Sequence, residues 1–426
     1  MNKIRIKIKS FFKKIGPGFI TGVADDDPSG IGTYSIAGAQ FGYKMNWMTI
    51  FLLPAMIAIQ EMCGRLGLVT GMGLAGVIKK HSSRKILYMA VTLLAVANII
   101  NIGADLGIMA ASMQMLLGFP FYYWLIIIAI FVIWMEIAIP YKNYSKYLKF
   151  LGLTLCVYII TAFLVDQDWK EVALNTLVPH IQLNSVYIMT MIGFIGTTIS
   201  PYLFFWQPSE EIEEEICEGK IKDFNCKPNI NIQDIKVMTA DTKFGMLFSN
   251  TITFFVLLTT AATLHANGIT DIETPQQAAM ALKPLAGNGA YLLFAIGMIG
   301  VGLQAIPVLA GSIGYAISET FGFKEGLSKK FFKAKAFYFI IAFSTIIGVL
   351  MNLFGINTMQ ALYYAAIING IASIPLIAII IKLSDDEKIV GKYRTKKHSK
   401  IIGMTVLAFI TLAAIIMVAN LFGFEF

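Results

Sequence analysis

The sequence predicts an all-α polytopic membrane protein, and three observations carry that prediction. The 426 residues are 57% hydrophobic and only 14% charged, with a mean hydropathy of +0.69, so no stretch is long and polar enough to form a separate soluble domain. Apolar runs of about 20 residues, the length a helix needs to cross a bilayer, recur along the chain. Lys and Arg concentrate in alternate connections between those runs, as the positive-inside rule describes.

Taken in order, the runs give about eleven spans, near 17–41, 46–69, 86–116, 121–140, 147–165, 186–207, 243–267, 290–320, 332–354, 358–383 and 401–424. The longer ones must tilt or project beyond the hydrocarbon. Residues 1–14 are basic but lead into a broken helix with no small-residue cleavage site, so they read as a tail, not a removable signal peptide. With the amino terminus cytoplasmic, all but four of the 34 Lys and Arg fall inside. They lie in the tail, 79–85, 142–149, 220–243, 324–335 and 382–400. Lys44, Lys170 and Lys283 fall outside, and Arg65 lies within the second span. Eleven spans then put the carboxyl terminus, with Glu425, outside. The net charge of +8 is thus a topological signal and gives no sign of a nucleic-acid partner. The bilayer is the partner this composition implies; nothing in it implies an obligate protein partner.

The first span carries the most informative residues. Asp25, Asp26 and Asp27 are consecutive, with roughly a dozen apolar or small residues on either side. An ionisable group at membrane depth costs roughly 2.5 kcal/mol or more, so it commonly marks a substrate or ion path. Pro28-Ser29-Gly30 follows at once, breaking the helix and freeing backbone carbonyls, which is tolerated where they line a cavity or cation site. The simpler alternative is a helix cap at the water interface.

Span six reads Gly193-Phe194-Ile195-Gly196-Thr197-Thr198-Ile199-Ser200-Pro201-Tyr202. Proline cannot donate to the helix ladder and clashes with the preceding turn. The Thr197 carbonyl, four residues earlier, is released as an acceptor, and the hydroxyls of Thr197, Thr198 and Ser200 add oxygens nearby. A plain kink, with those hydroxyls bonded back to their own backbone, is the alternative. Pro28 and Pro201 interrupt the first helix of each half, a pairing that points to an inverted-repeat transporter with a mid-membrane site.

Other features read more plainly. The polar segment 208–242, rich in Glu210, Glu211, Glu213, Glu214, Glu215 and Glu218, is expected to extend span six into a solvated linker; a metal-attracting patch is the other reading. Asp105 lies deep in span three, as a structural polar contact or part of a water pathway. Glu136 and Glu319 lie near cytoplasmic span ends and read as solvated there. Cys63 and Cys156 read as small core residues, and Cys217 and Cys226 as free thiols whose spacing matches no zinc pattern. His81, His180, His265 and His398 form no cluster. The glycines at 64, 67, 71 and 73 and at 297, 300 and 302 read as helix-packing positions.

Several of these residues carry a resemblance. Gly16-Pro17-Gly18-Phe19, Asp27-Pro28, Ala39-Gln40-Phe41-Gly42-Tyr43 and Arg65-Leu66-Gly67-Leu68-Val69-Thr70-Gly71 all resemble the NRAMP family. So do Ala104-Asp105-Leu106 and Asp241-Thr242, and the likeness covers nearly the whole chain. The resemblance implies one transmembrane domain over 1–426 with a LeuT-type fold of two inverted five-helix repeats. These would be 17–165 and 186–383, with an eleventh helix at 401–424. It also implies transport of divalent metals by alternating access.

The departures from that family's pattern are informative. Its first-helix motif is Asp-Pro-Gly-Asn; here Asp27 is kept, but Ser29 and Gly30 stand where Gly and Asn are expected. Its sixth helix carries Ala-Thr-Val-Met-Pro-His; here Thr197-Thr198-Ile199-Ser200-Pro201-Tyr202 replaces sulfur by hydroxyl and imidazole by phenol. A second family histidine becomes Gln207, and the glutamate three residues after Asp105 becomes Ile108. The pattern resembles the NRAMP-related magnesium transporter branch. The resemblance implies metal ligands at Asp27, Ser29, Gly30, Thr197 and Ser200, with Asp26, Thr198, Tyr202, Gln207 and Asp105 in a second layer or pathway. No cofactor is implied; Mg²⁺ or Mn²⁺ is the substrate.

Ligand chemistry points the same way. Carboxylate, hydroxyl, carbonyl and water suit Mg²⁺ and Mn²⁺, whereas a thioether favours softer metals. Mg²⁺ usually keeps several waters and binds through one or two carboxylates, and Gly30 and Ser200 are expected to widen the site for those waters. Tyr202, Gln207 and Ile108 are poor proton carriers near neutral pH, so transport is expected to run without proton coupling. Alternatives are a proton-coupled Mn²⁺/Fe²⁺ importer, a LeuT-type amino-acid permease and a membrane receptor without transport. No nucleophile–base pair or nucleotide loop suggests an enzyme.

Overall fold

A computed structural model describes residues 16–139 and 152–422. Every regular element among them is helical. The first span is two helices, α1 (Pro17–Asp25) and α2 (Pro28–Phe41). Pro28 bars the residue before it from helical geometry, and Asp27 is accordingly extended at φ −71° and ψ 169°. Next come α3 (Trp47–Thr70), α4 (Leu74–His81), α5 (Arg84–Leu117), α6 (Phe121–Ala138), α7 (Cys156–Leu164) and α8 (Trp169–Leu177). The sixth span is again two pieces, α9 (Ser185–Thr198) and α10 (Pro201–Cys217). Ile199 and Ser200 leave helical geometry between them, for the same proline reason. The remainder is α11 (Ile232–Thr263), α12 (Pro275–Ala279), α13 (Lys283–Ala286), α14 (Ala290–Phe321), α15 (Lys335–Met351), α16 (Thr358–Asp385), α17 (Glu387–Val390) and α18 (Lys397–Leu421).

Nine helical stretches among the described residues are long and apolar enough to cross a membrane. The two expected spans beyond these nine are the first, whose halves are each too short alone, and the fifth, of which the described residues hold only Gly152–Leu155 and α7. The tail 1–14, the connection 142–149 and Glu425 lie outside the described residues.

Burial sorts the helices into centre and periphery. The sixth span is 94% buried over its most apolar window, against 33% for α6 and α15 and 28% for α18. Every residue of α1 from Gly18 to Asp25 is buried as well. The two broken helices therefore occupy the middle. α1 lies along α11, α9 along α16, and α10 along α3 and α14. Asp241 of α11 accepts from the Gly16 and Phe19 amides at 3.0 and 3.2 Å, satisfying free N–H groups at the start of α1.

Three expectations need correction. The acidic segment does extend the sixth span, to Cys217, but Glu210, Glu211, Glu213 and Glu215 are buried instead of solvated. Neighbouring helices and the 322–330 connection cover them; Glu213, for one, accepts from Tyr315 at 2.9 Å. Glu319 is buried too, because its carboxylate accepts from the Gly73 and Gly76 amides, at 2.5 and 2.9 Å, at the start of α4. Glu136 is buried, with no hydrogen-bond partner among the described residues.

Candidate metal site at two helix breaks

The break between α1 and α2 places three carboxylates in the protein interior, each exposed by 2% or less. Asp27 is the N-cap of α2. Its Oδ1 accepts from the Gly30 amide at 2.6 Å and the Ser29 hydroxyl at 2.9 Å. Its Oδ2 accepts from Asn101 Nδ2 at 2.6 Å, with the Tyr202 hydroxyl at 3.5 Å. Asp25 and Asp26 are far less satisfied. Each accepts from the shared Ser249 hydroxyl, at 3.2 and 3.1 Å, and Asp25 Oδ1 and Asp26 Oδ2 have no well-formed hydrogen bond among the described residues.

The break between α9 and α10 faces this one. Tyr202 donates to the Ala24 carbonyl at 2.8 Å, and Tyr34 of α2 meets the Thr198 hydroxyl at 3.2 Å. Ser200 lies beside Asp25. The Thr197 carbonyl is freed from the helix ladder, as Pro201 requires, but the Ser200 hydroxyl donates to it at 2.7 Å. The Thr197 and Thr198 hydroxyls bond back to Phe194 and its neighbours. Asp105 of α5 sits beside Asp27 and the Ser29 backbone, and neither of its oxygens has a well-formed hydrogen bond among the described residues.

Eight of the ten predicted residues thus lie at or beside the two facing breaks: Asp26, Asp27, Ser29, Gly30, Thr197, Thr198, Ser200 and Tyr202. Asp105 joins them from α5. Gln207 does not. It is two turns along α10, about 10 Å away by helical rise, where it donates to Thr242 at 2.8 Å. The space at Gly30 is also tighter than expected, since a Cβ there would stand 3.3 Å from Asp27 Oδ1 and 3.4 Å from the Tyr34 ring. Sequence reasoning missed Asn101, Ser249 and Tyr34. Asn101 had a signal, lying four residues before Asp105 and so on the same helix face; Ser249 and Tyr34 had none.

Three buried carboxylates with a fourth close by make an electronegative cluster. No Lys or Arg pairs with any of them among the described residues. Uncompensated charge is costly in a low-dielectric interior, so the arrangement suits a mobile cation. No group of three or more His, Cys, Asp and Glu side chains is arranged to hold a metal among the described residues. A complete shell here would need hydroxyl, carbonyl or water oxygens.

Comparison with known proteins decides the family. Residues 18–420 match the Nramp family model, described as natural resistance-associated macrophage protein-like. The chain belongs to the Nramp family. A curated relative, the divalent metal cation transporter MntH of Clostridium acetobutylicum, is 24% identical over 420 residues, covering 96% of this chain and 91% of the relative. MntH of Klebsiella pneumoniae is 26% identical over 310 residues, 70% of each chain. In three dimensions this Nramp chain is similar to the Eremococcus coleocola manganese transporter, with TM-score 0.73 and 17% identity over 97% of this chain and 89% of that one. It is also similar to Mhp1, a nucleobase-cation-symport-1 family transporter, with TM-score 0.61 and 12% identity over 96% and 91%. These likenesses establish the fold: all-α, polytopic and LeuT-type.

Proposed function

We propose that this protein is a secondary transporter that imports divalent metal ions, Mg²⁺ and also Mn²⁺, across the cytoplasmic membrane by alternating access and without proton coupling. Its Nramp membership, and relatives named as divalent metal cation or manganese transporters, support the transport of a divalent metal. The observation that carries the reading is the pair of facing helix breaks with unpartnered, buried Asp25 and Asp26 oxygens between them. The oxygen-only surroundings favour a hard cation over a soft one.

Within this reading Asp27 remains a ligand, with Ser29, Gly30, Thr197 and Ser200 contributing hydroxyl or carbonyl oxygens. Three donors, Gly30, Ser29 and Asn101, already hold Asp27, with the Tyr202 hydroxyl nearby, so Asp25 and Asp26 supply the first free oxygens an arriving ion meets. Rearrangement of Asn101 and Tyr202 then releases Asp27 Oδ2. The two inverted repeats are assigned to 17–165 and 186–383, with helix eleven at 401–424. The amino terminus is assigned to the cytoplasm and the carboxyl terminus to the outside. A divalent cation entering at 100 mV gains about 4.6 kcal/mol, from ~2.3 per charge, which drives accumulation without protons.

The test is uptake of Mg²⁺, Mn²⁺ and Ca²⁺ into liposomes holding the purified protein, with a pH-sensitive dye trapped inside. Mg²⁺ and Mn²⁺ entry that ignores an imposed pH gradient is expected. Metal-dependent acidification at a fixed ratio to metal entry would show proton coupling, with Asp105 as the remaining carrier.

A further inference from the structure

A second charged site lies well away from the helix breaks. α3, the start of α11 and the connection before α18 enclose a cavity of about 540 Å³. Six cations line it: Arg65, Lys236, Lys243, Lys392, Arg394 and Lys396. Glu61 is the one carboxylate in the lining, and it is already ion-paired with Arg65. Arg394 is shared with Asp385 and Glu387. Among the described residues no ion pair neutralises Lys236, Lys243, Lys392 or Lys396.

The cavity has fixed walls. Arg65 is only 4% exposed, and its guanidinium donates to the Tyr393 carbonyl at 3.1 Å, tying the 392–396 segment to α3. The Tyr393 hydroxyl donates to the Ile230 carbonyl at 3.0 Å, tying the same segment to the entry of α11. The four lysines without an ion-pair partner are exposed around one opening, so their like charges concentrate a positive field that an anion relieves.

Position selects the kind of anion. α11 has 32 residues, about 48 Å at ~1.5 Å per residue, against roughly 30 Å of hydrocarbon. Its apolar run starts near residue 243, so the lysine-bearing turns before it are the part that projects beyond the hydrocarbon toward the headgroups. Immediately beyond the lysines the surface turns apolar: Phe244 and Leu247 on α11 are 41% and 50% exposed, and Ile401 and Met404 on α18 are 53% each. A soluble anion has no use for such flanks, whereas acyl chains cover them. Basic pockets between membrane helices on the cytoplasmic side suit anionic headgroups for this reason.

We infer that this cavity binds the phosphate headgroup of an anionic phospholipid, whose acyl chains lie along the exposed apolar faces of α11 and α18. The site is independent of the metal reading, since it shares none of the residues at the helix breaks. Lipid binding here ties α3, α11 and the 392–396 segment together.

The experiment uses the full-length protein in detergent, stripped of lipid and titrated with phosphatidylglycerol, phosphatidylcholine or inorganic phosphate. Bound lipid is counted by native mass spectrometry, with the melting temperature followed in parallel. Phosphatidylglycerol is expected to bind and stabilise, and the other two are not. The triple variant Lys243→Ala, Lys392→Ala, Lys396→Ala should bind phosphatidylglycerol roughly a hundredfold more weakly, at about fivefold per cation removed. The corresponding triple Lys→Arg variant should bind as wild type does. An unchanged melting temperature in lipid-free detergent certifies that the Ala variant is folded. Equal binding of phosphatidylcholine and phosphatidylglycerol, equal stabilisation by inorganic phosphate, or full binding by the folded Ala variant would each overturn the assignment.

Discussion

Asp27 holds a cap and a charge at one position, and the two can be separated by substitution. Its Oδ1 holds the first turn of α2 through Gly30 and Ser29, while its Oδ2 meets Asn101. Asp27→Asn keeps a carbonyl oxygen for the cap and removes the charge. It should lose metal uptake by more than tenfold with little change in melting temperature, whereas Asp27→Ala should lose uptake and also about 1 kcal/mol of stability with the cap. Wild-type uptake in Asp27→Asn would remove Asp27 from the ion's path. The place of this residue at a buried helix break was legible because Pro28 follows it and the run around it is apolar. The distribution of its hydrogen bonds was not. Asn101 reaches Asp27 from a helix 74 residues later, and Ser249 reaches Asp25 and Asp26 from further still. No local pattern encodes such distances. The cap reading was right about what Asp27 bonds to and wrong about where, since the cap is buried.

At the scale of elements, proline chemistry made both helix breaks readable, because a missing N–H acts within one turn of its own sequence. The closeness of packing was harder to read, as the glycines show. A Cβ at Gly22 of α1 would land on the Gly245 backbone of α11, whereas one at Gly297 of α14 meets nothing within 4 Å. Gly297 is thus not the packing position its neighbours suggested. Gly22→Ala should cost about 1–3 kcal/mol by overpacking, while Gly297→Ala should be neutral or stabilise by up to ~1 kcal/mol through helix propensity; denaturation of the two variants compares them directly. The connection after α14 gives a second, pH-dependent case. Burial, and then the Glu319 carboxylate, push the Glu325 carboxyl up to about 10 against the opposing pull of Lys329. The unfolded chain ionises this group near its ordinary value of 4.5. Its contribution to stability is therefore complete below that value and lost as pH climbs toward about 10. Glu325→Gln removes the titration, so its melting temperature should rise relative to wild type between about pH 5 and pH 9. A difference that does not change with pH would contradict the buried, protonated state.

For the whole molecule, hydropathy made the membrane architecture legible, because lipid forces every span to declare itself in composition. The span count differs from nine long helices only where a span is broken or lies partly outside the described residues. The burial of the acidic segment after the sixth span was hidden, since polar composition predicts solvent and only packed neighbours such as Tyr315 against Glu213 show otherwise. Orientation rests on the distribution of Lys and Arg, and the chain's own thiols test it. Cys217 is exposed at the end of α10, in the segment assigned to the cytoplasm, while Cys63 is buried and Cys156 and Cys226 are half-buried. A membrane-impermeant maleimide should label Cys217 in inside-out vesicles and spare it in intact cells. On a Cys217→Ser background, Asn288→Cys places a thiol at an exposed position between α13 and α14, in the connection assigned to the outside. That variant should label in intact cells. Labelling of both positions from the same side would break the alternation of spans, and an exchange of sides would invert the protein and turn the proposed importer's basic face outward.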